Sequence, residues 1–140
     1  MPDPLFADWL AISKLKSAYC RLLDTKDWAG WSALFTEDLR LDVSGSGGDV
    51  LVGRDVVVAS VRGSIETTKT AHQVHSPEIV IEGDQARAVW AMQDRLIWED
   101  GRTLTGWGHY HERYVRTPDG WRIAEQKLTR LFMEMTAPET

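Results

Sequence analysis

Apolar residues recur at steps of three and four near the start of the chain and at every second position toward its end. Leu5, Trp9, Ile12, Leu15, Tyr19 and Leu22 follow the first rhythm, which places them on one side of a helix. Asp3 suits the N-cap of that helix, and Pro4 its first turn, where a missing N–H costs nothing. Asp27 predicts a cap for a second short helix, Trp28 to Phe35, carrying Trp31, Leu34 and Phe35. Leu39, Leu41 and Val43 alternate with charged residues as a strand does. Ser44-Gly45-Ser46-Gly47-Gly48 reads as a flexible turn and nothing more, because it lacks the Lys-Ser/Thr ending of a phosphate loop. After Gly53, the run Asp55 to Ile65 predicts a third helix, although its valines lower the propensity.

From Thr68 onward the rhythm is period two, broken at Glu82-Gly83-Asp84, Glu99-Asp100-Gly101 and Pro118-Asp119-Gly120. Such triplets are hairpin signals, and they separate long strands over Gln85–Trp98, Arg102–Thr117 and Trp121–Met133. Helices followed by a meander of antiparallel strands give an α+β layout, with helices covering one face of a curved sheet. The expected order is α-α-β-α-β-β-β-β, in one domain spanning residues 1–140, with no internal repeat or linker.

Composition narrows the classes. With 43% hydrophobic and 26% charged residues, the chain has the balance of a folded protein, not a disordered one. A net charge of −5, with no basic stretch to offset it, argues against nucleic acid or an anionic membrane as partner. No apolar run approaches the ~18 residues of a membrane span. Met1-Pro2-Asp3-Pro4 lacks the basic-then-apolar order of a signal peptide. A single cysteine, Cys20, has no partner for an internal disulfide, which fits a reducing cytoplasm. Seven tryptophans exceed what one small core needs, so several are expected to line something.

Strand alternation then singles out residues. Ala86, Ala88, Trp90, Met92, Asp94, Leu96 and Trp98 share one face, and Arg87, Val89, Ala91, Gln93, Arg95 and Ile97 the other. The first face is apolar, with Asp94 in its middle. A carboxylate there is costly unless it is paired or lines a wet cavity. A bulge that turns it outward, or a salt bridge to an arginine, would also account for it. On the next strand, Tyr110, Glu112 and Tyr114 face one way and Trp107, His109 and His111 the other. Two histidines at i and i+2 are half a zinc site at most, and no cysteine pair or His-Glu-x-x-His helix completes it, so no metal is expected.

The remaining chemistry lies in Asp24, at the end of the first helix, and His72, in Thr70-Ala71-His72-Gln73-Val74-His75-Ser76-Pro77. They stand 48 positions apart (72 − 24), so only the fold could join them. Joined in a pocket, they would make an acid-oriented imidazole, the usual means of moving a proton near neutral pH. His72 and Ser76 share one strand face and His75 takes the other, so His72 is the internal candidate and His75 a surface residue. Alternatively, Asp24 is a solvated helix-end carboxylate and Tyr19 a core aromatic with its hydroxyl satisfied. Five helical positions are about 140° of rotation, so Tyr19 and Asp24 must flank a pocket, or the helix must loosen near its end. Cys20 has no activating partner beyond Arg21 and is not expected to act as a nucleophile.

Tyr19, Asp24, Asp27 and Trp28, in the pattern Tyr-x4-Asp-x2-Asp-Trp, resemble the SnoaL-like branch of the NTF2-like superfamily. So does the succession Phe35-Thr36-Glu37-Asp38, Gly53-Arg54, Thr70-Ala71-His72 and Tyr114-Val115-Arg116, ending in Asp119-Gly120-Trp121-Arg122-Ile123. The resemblance runs from about Leu5 to Leu131 and implies a cone-shaped curved sheet wrapped around the helices. Within it, the scytalone dehydratase, bile acid dehydratase and hexachlorocyclohexane dehydrochlorinase group is most similar. That group implies a cofactor-free lyase whose histidine base, His72, is supported by Asp24, with Tyr19 and Asp94 as further catalytic residues. A second histidine of scytalone dehydratase has no match.

The resemblance and the residues together predict dehydration, or else isomerisation, of a small hydrophobic ring-containing substrate. Tyr19 and Asp94 would polarise a carbonyl or assist a leaving hydroxyl, Asp94 only if apolar surroundings keep it protonated. Trp90, Met92, Trp98 and Tyr110 would form the substrate-binding wall. The outer sheet face around Trp107 suggests a homo-oligomer, a dimer or trimer. The alternative from another class is a non-catalytic small-ligand binder or a structural subunit, in which Asp24 and His72 merely satisfy each other.

Overall fold

In the computed structural model, residues 3–138 are described. Asp3 caps the first helix, α1 (Pro4–Asp24), accepting from the backbone N–H of Leu5 at 2.9 Å. The buried stripe of α1 is Ile12, Leu15, Lys16, Tyr19, Cys20 and Leu23. Leu5 and Trp9, expected on that stripe, are 60% and 41% exposed. The rhythm is continuous, but the first turns carry it beyond the cover of the sheet. Asp27 caps α2 (Trp28–Ser32) through the N–H of Gly30 at 2.9 Å. This helix is shorter than predicted, and Phe35 opens β1 (Phe35–Asp42). Phe35 is buried by packing edge-on against Trp31, with ring centres 4.8 Å apart.

A strand that the sequence did not predict, β2 (Val50–Val52), pairs antiparallel with Arg40–Asp42. Three residues are too few to display a period of two. The helix α3 (Arg54–Ile65) follows, then β3 (Lys69–Glu82), β4 (Gln85–Ile97), β5 (Thr103–Thr117) and β6 (Gly120–Thr136). The glycines of the three predicted hairpin triplets, Gly83, Gly101 and Gly120, have positive φ, as those tight turns require. The six strands lie in the order β2-β1-β6-β5-β4-β3, antiparallel except where β1 runs parallel to β6. Parallel pairing sets β1 beside β6 inside an open sheet whose edges are β2 and β3. No described helix is long and apolar enough to cross a membrane.

The helices cover one face, with α1 packed against β3 and β6 and α3 against β1. Buried residues from both layers, among them Ile12, Trp31, Leu39, Val57, Tyr114 and Ile123, form one cluster. Register shifts interrupt the β5–β6 pairing between Trp107 and Gly108 and between Arg113 and Tyr114. Such bulges bend and twist the sheet, curling it around the helices.

Candidate functional site

Between the helices and the concave face lies a cavity of about 520 Å³. Tyr19, His72, Asp94, Trp98, Tyr110 and Arg130 contribute to its wall, with apolar area from Leu41, Leu96, Leu104 and Leu128. A second hollow of about 470 Å³, bordered by Arg40, Arg87, His111, Arg113 and Lys127, contains none of the candidate catalytic side chains.

Helix α1 ends at Asp24 because Thr25 closes it with its own N–H and hydroxyl, both on the Arg21 carbonyl. Lys26 then adopts φ 61°, a left-handed turn that a residue with a Cβ adopts at some cost. Asp24 is left at the mouth of the helix facing β3. Its Oδ1 lies 2.7 Å from His72 Nδ1, and its Oδ2 accepts the His72 backbone N–H at 2.8 Å. The Thr70 hydroxyl adds a hydrogen bond to Oδ1 at 3.0 Å, and Lys26 Nζ donates to that hydroxyl at 2.6 Å. Burial lowers the pKa of the Lys26 ammonium, and nearby Asp24 works against that shift. Held at two points of one residue, the carboxylate fixes the imidazole and leaves Nε2 as the ring nitrogen free for the cavity. The side chains of His72 and Asp24 keep 10% and 23% of their exposure.

Asp94 is inward, as alternation predicts, and 5% exposed. It is not an isolated acid in apolar surroundings, however. Arg130 grips it with Nη1 on Oδ1 at 2.6 Å and Nη2 on Oδ2 at 2.9 Å. The purely apolar surroundings that the acid role calls for are therefore not what the fold provides, since both oxygens of Asp94 are taken up by a guanidinium. Arg130 Nε donates to Ser46 Oγ at 2.8 Å, which ties the glycine-rich turn to the cavity. Ser46 and Gly48 belong to the wall, so that segment does more than the loop role expected for it. Gly45 fits it tightly against β6, where a Cβ would meet the Leu128 carbonyl oxygen at 2.7 Å.

Arg130 reaches Asp94 across an intervening strand. Asp94 pairs with Gly106 of β5, and a Cβ on Gly106 would stand 2.7 Å from Asp94 Oδ1 and inside contact distance of the guanidinium. The missing side chain is the passage for the ion pair.

The helix stays regular to Asp24, and of the two residues only Tyr19 lines the cavity, with Asp24 behind His72. Asp24 points to β3, whereas the Tyr19 hydroxyl donates to Gln126 Oε1 on β6 at 3.1 Å. Gln126 Nε2 donates in turn to Glu112 Oε2 at 2.8 Å, which also takes Lys16 Nζ at 2.7 Å. Both side chains of the Lys16–Glu112 pair are fully buried. Lys16 Nζ also lies 3.6 Å and 3.8 Å from the ring centres of Tyr19 and Tyr110, a favourable place for a cation. Burial, and then the Glu112 charge, push the Tyr19 hydroxyl far above its usual range. Burial pushes the Cys20 thiol up to about 11, which disfavours the nucleophilic thiolate.

Among the predicted wall residues, Trp98 and Tyr110 line the cavity. Trp90 and Met92 do not. Trp90 is buried, with its indole N–H on the Tyr114 hydroxyl at 2.9 Å, and Met92 presents its sulfur to Arg130 at 3.7 Å. Alternation gives the face but not the depth along the strand. His75 is exposed with Ser76, while His111 bonds Thr129 Oγ1 at 2.9 Å beside His109. Among the described residues, no three His, Cys, Asp or Glu side chains converge as metal ligands would.

Sequence reasoning missed Arg130, Gln126 and Lys16. The alternation that exposed Asp94 was available on β6, where Gln126, Leu128 and Arg130 share the inner face. Lys16 was legible too, four residues after Ile12 and three before Tyr19 on the buried stripe.

Comparison with known proteins matches this architecture. A SnoaL-like domain model aligns with residues 6–127. A probable cyclase from Gibberella zeae is 24% identical over 137 residues, covering 89% of this chain and 91% of its own. The crystal structure of a proposed aromatic ring hydroxylase from Novosphingobium aromaticivorans superposes with a TM-score of 0.89 at 28% identity, covering 96% of each chain. A proposed scytalone dehydratase from the same organism gives 0.87 at 19% identity, covering 100% of this chain and 95% of its own, which speaks for the fold alone. With helices and curved sheet in the same arrangement and the family model covering most of its length, the chain belongs to the SnoaL-like family.

Proposed function

We propose that the protein is a cofactor-independent lyase that dehydrates a small, hydrophobic, ring-containing β-hydroxy carbonyl compound, with isomerisation of the same substrate class as its nearest variant. The observation that carries this reading is His72 at the cavity wall, with Nδ1 held by Asp24 at 2.7 Å and Nε2 left free. Asp24 favours the tautomer with the proton on Nδ1, so Nε2 acts as the base. It takes the proton next to the carbonyl. Negative charge moves onto the carbonyl oxygen as the enolate forms, and the bond to the β-hydroxyl breaks as the enolate collapses. The imidazolium returns its proton to the departing hydroxide, so the balance is loss of one water and gain of one C=C bond.

Arg130 supports the developing enolate oxygen. Two N–H groups of its guanidinium hold Asp94 and Nε–H holds Ser46, leaving donor capacity on a rigid cation. Trp98, Leu96 and Leu104 supply the apolar wall for the ring. The probable cyclase among the similar proteins fits with chemistry on rings. The same reading has a cytoplasmic protein assembling as a homodimer or homotrimer. Its contact surface would be the outer sheet face, where Trp107 stacks on Phe132 at 4.5 Å and Leu131 is 68% exposed.

The test is a panel of aromatic and alicyclic β-hydroxy ketones, followed by the absorbance of the conjugated enone. Turnover in the wild type should fall about 10²–10⁴-fold in His72→Ala and substantially in Asp24→Asn, with folding unchanged. Binding of panel members without elimination or deuterium exchange at the α-carbon would replace the lyase with a ligand binder.

A further inference from the structure

The hydrogen bonds behind the Tyr19 wall have a fixed direction, set from their charged end. Glu112 lies 2.7 Å from the Lys16 ammonium in a fully buried pair, so its carboxylate can only accept. Gln126 reaches the same carboxylate oxygen at 2.8 Å, and only its amide N–H can make that bond. Flipping the amide would set two acceptor oxygens against each other in a place without water. The Gln126 carbonyl therefore faces Tyr19, and across 3.1 Å the phenol is the donor. The Tyr19 proton is thereby spent within the protein. What the Tyr19 hydroxyl keeps for a ligand on the cavity wall is oxygen lone pairs.

We propose that the Tyr19 hydroxyl is an acceptor-only contact that selects an uncharged hydroxyl or N–H group on the ligand over a carbonyl, an ether or an anion. The inference rests on the cavity being a ligand site, as in the function proposed above, and deepens it. The β-hydroxyl of the substrate belongs at Tyr19, as a donor to it. Tyr19 then orients the leaving hydroxyl and does not protonate it, which leaves that proton transfer to His72. A carbonyl or an anionic oxygen at the same place would face lone pairs with no proton between them. The site's buried acceptors discriminate strongly only because an unmatched partner leaves them desolvated and unpaired.

The experiment compares 2-naphthol with 2-methoxynaphthalene by isothermal titration calorimetry, since the pair shares a ring system and differs in the donor proton. The wild type should bind the naphthol about tenfold more tightly. In Tyr19→Phe, with an unchanged far-ultraviolet circular dichroism spectrum, that preference should shrink toward unity. In Gln126→Leu, which frees the phenolic proton, the ether should gain. Equal binding of the two probes in the wild type, a preference that survives Tyr19→Phe, or binding of neither would each overturn the proposal. His72→Ala separates it from the catalytic reading: the preference should persist there while elimination is lost. A wild type that discriminates yet turns over nothing would sink the lyase and leave this subsite standing.

Discussion

Three carboxylate contacts tie α1 to the sheet, and two of them, Lys16–Glu112 and Asp24–His72, are built to opposite rules. Lys16–Glu112, midway along the helix, is fully buried, and its ammonium and both carboxylate oxygens are matched, by each other and by Tyr114, Gln126 and two aromatic faces. Asp24–His72, at the helix end, has its carboxylate equally well held, but among the described residues one imidazole nitrogen has no partner at the cavity wall. The first spends all its hydrogen-bonding capacity on the fold. The second withholds one nitrogen, and that surplus is what a substrate can use. The candidate catalytic group is marked here by a nitrogen lone pair left for the cavity, more than by charge or burial.

The comparison can be strained from the structural side first. Lys16→Met should cost about 3–5 kcal/mol in urea unfolding, because it strands Glu112 without its counter-charge in the core. Adding Glu112→Leu should recover only part of that loss, since the apolar pair removes the stranded charge while the buried Tyr114 hydroxyl and Gln126 amide lose their acceptor. If the single variant were as stable as the wild type, the account of the sealed pair would be wrong. Gly106→Ala should have the next largest effect, about 1–3 kcal/mol, as its methyl displaces the Arg130–Asp94 contact. A crystal structure of that variant should show the guanidinium moved from Asp94. Arg62→Ala should have the least, leaving the urea midpoint within error, because Arg62–Glu66 is an exposed i,i+4 pair.

Much of this was legible in the chain, and the gaps have physical causes. The turn triplets and the period-two runs located the strands from β4 onward because hairpin chemistry is local. Asp94 stood out because a carboxylate on an apolar face is costly. Its partner Arg130 was not paired with it because they sit two strands apart, joined over a glycine whose meaning appears only in three dimensions. Trp90 shares the inner face with Asp94, yet Trp90 is sealed beneath Tyr114 while Asp94 meets the cavity. The glycine-rich turn looked free because its anchor, Arg130, lies 84 positions away.

The proton on the His72 ring tests the central claim most directly. In ¹⁵N-labelled protein under conditions where the imidazole is neutral, long-range ¹H–¹⁵N correlations distinguish the two tautomers. The account predicts protonated Nδ1 and bare Nε2 in the wild type, with that preference weakened or reversed in Asp24→Asn, whose amide can donate to Nδ1. A wild-type His72 carrying its proton on Nε2 would contradict it, because the nitrogen facing the cavity would then have no lone pair with which to act as a base.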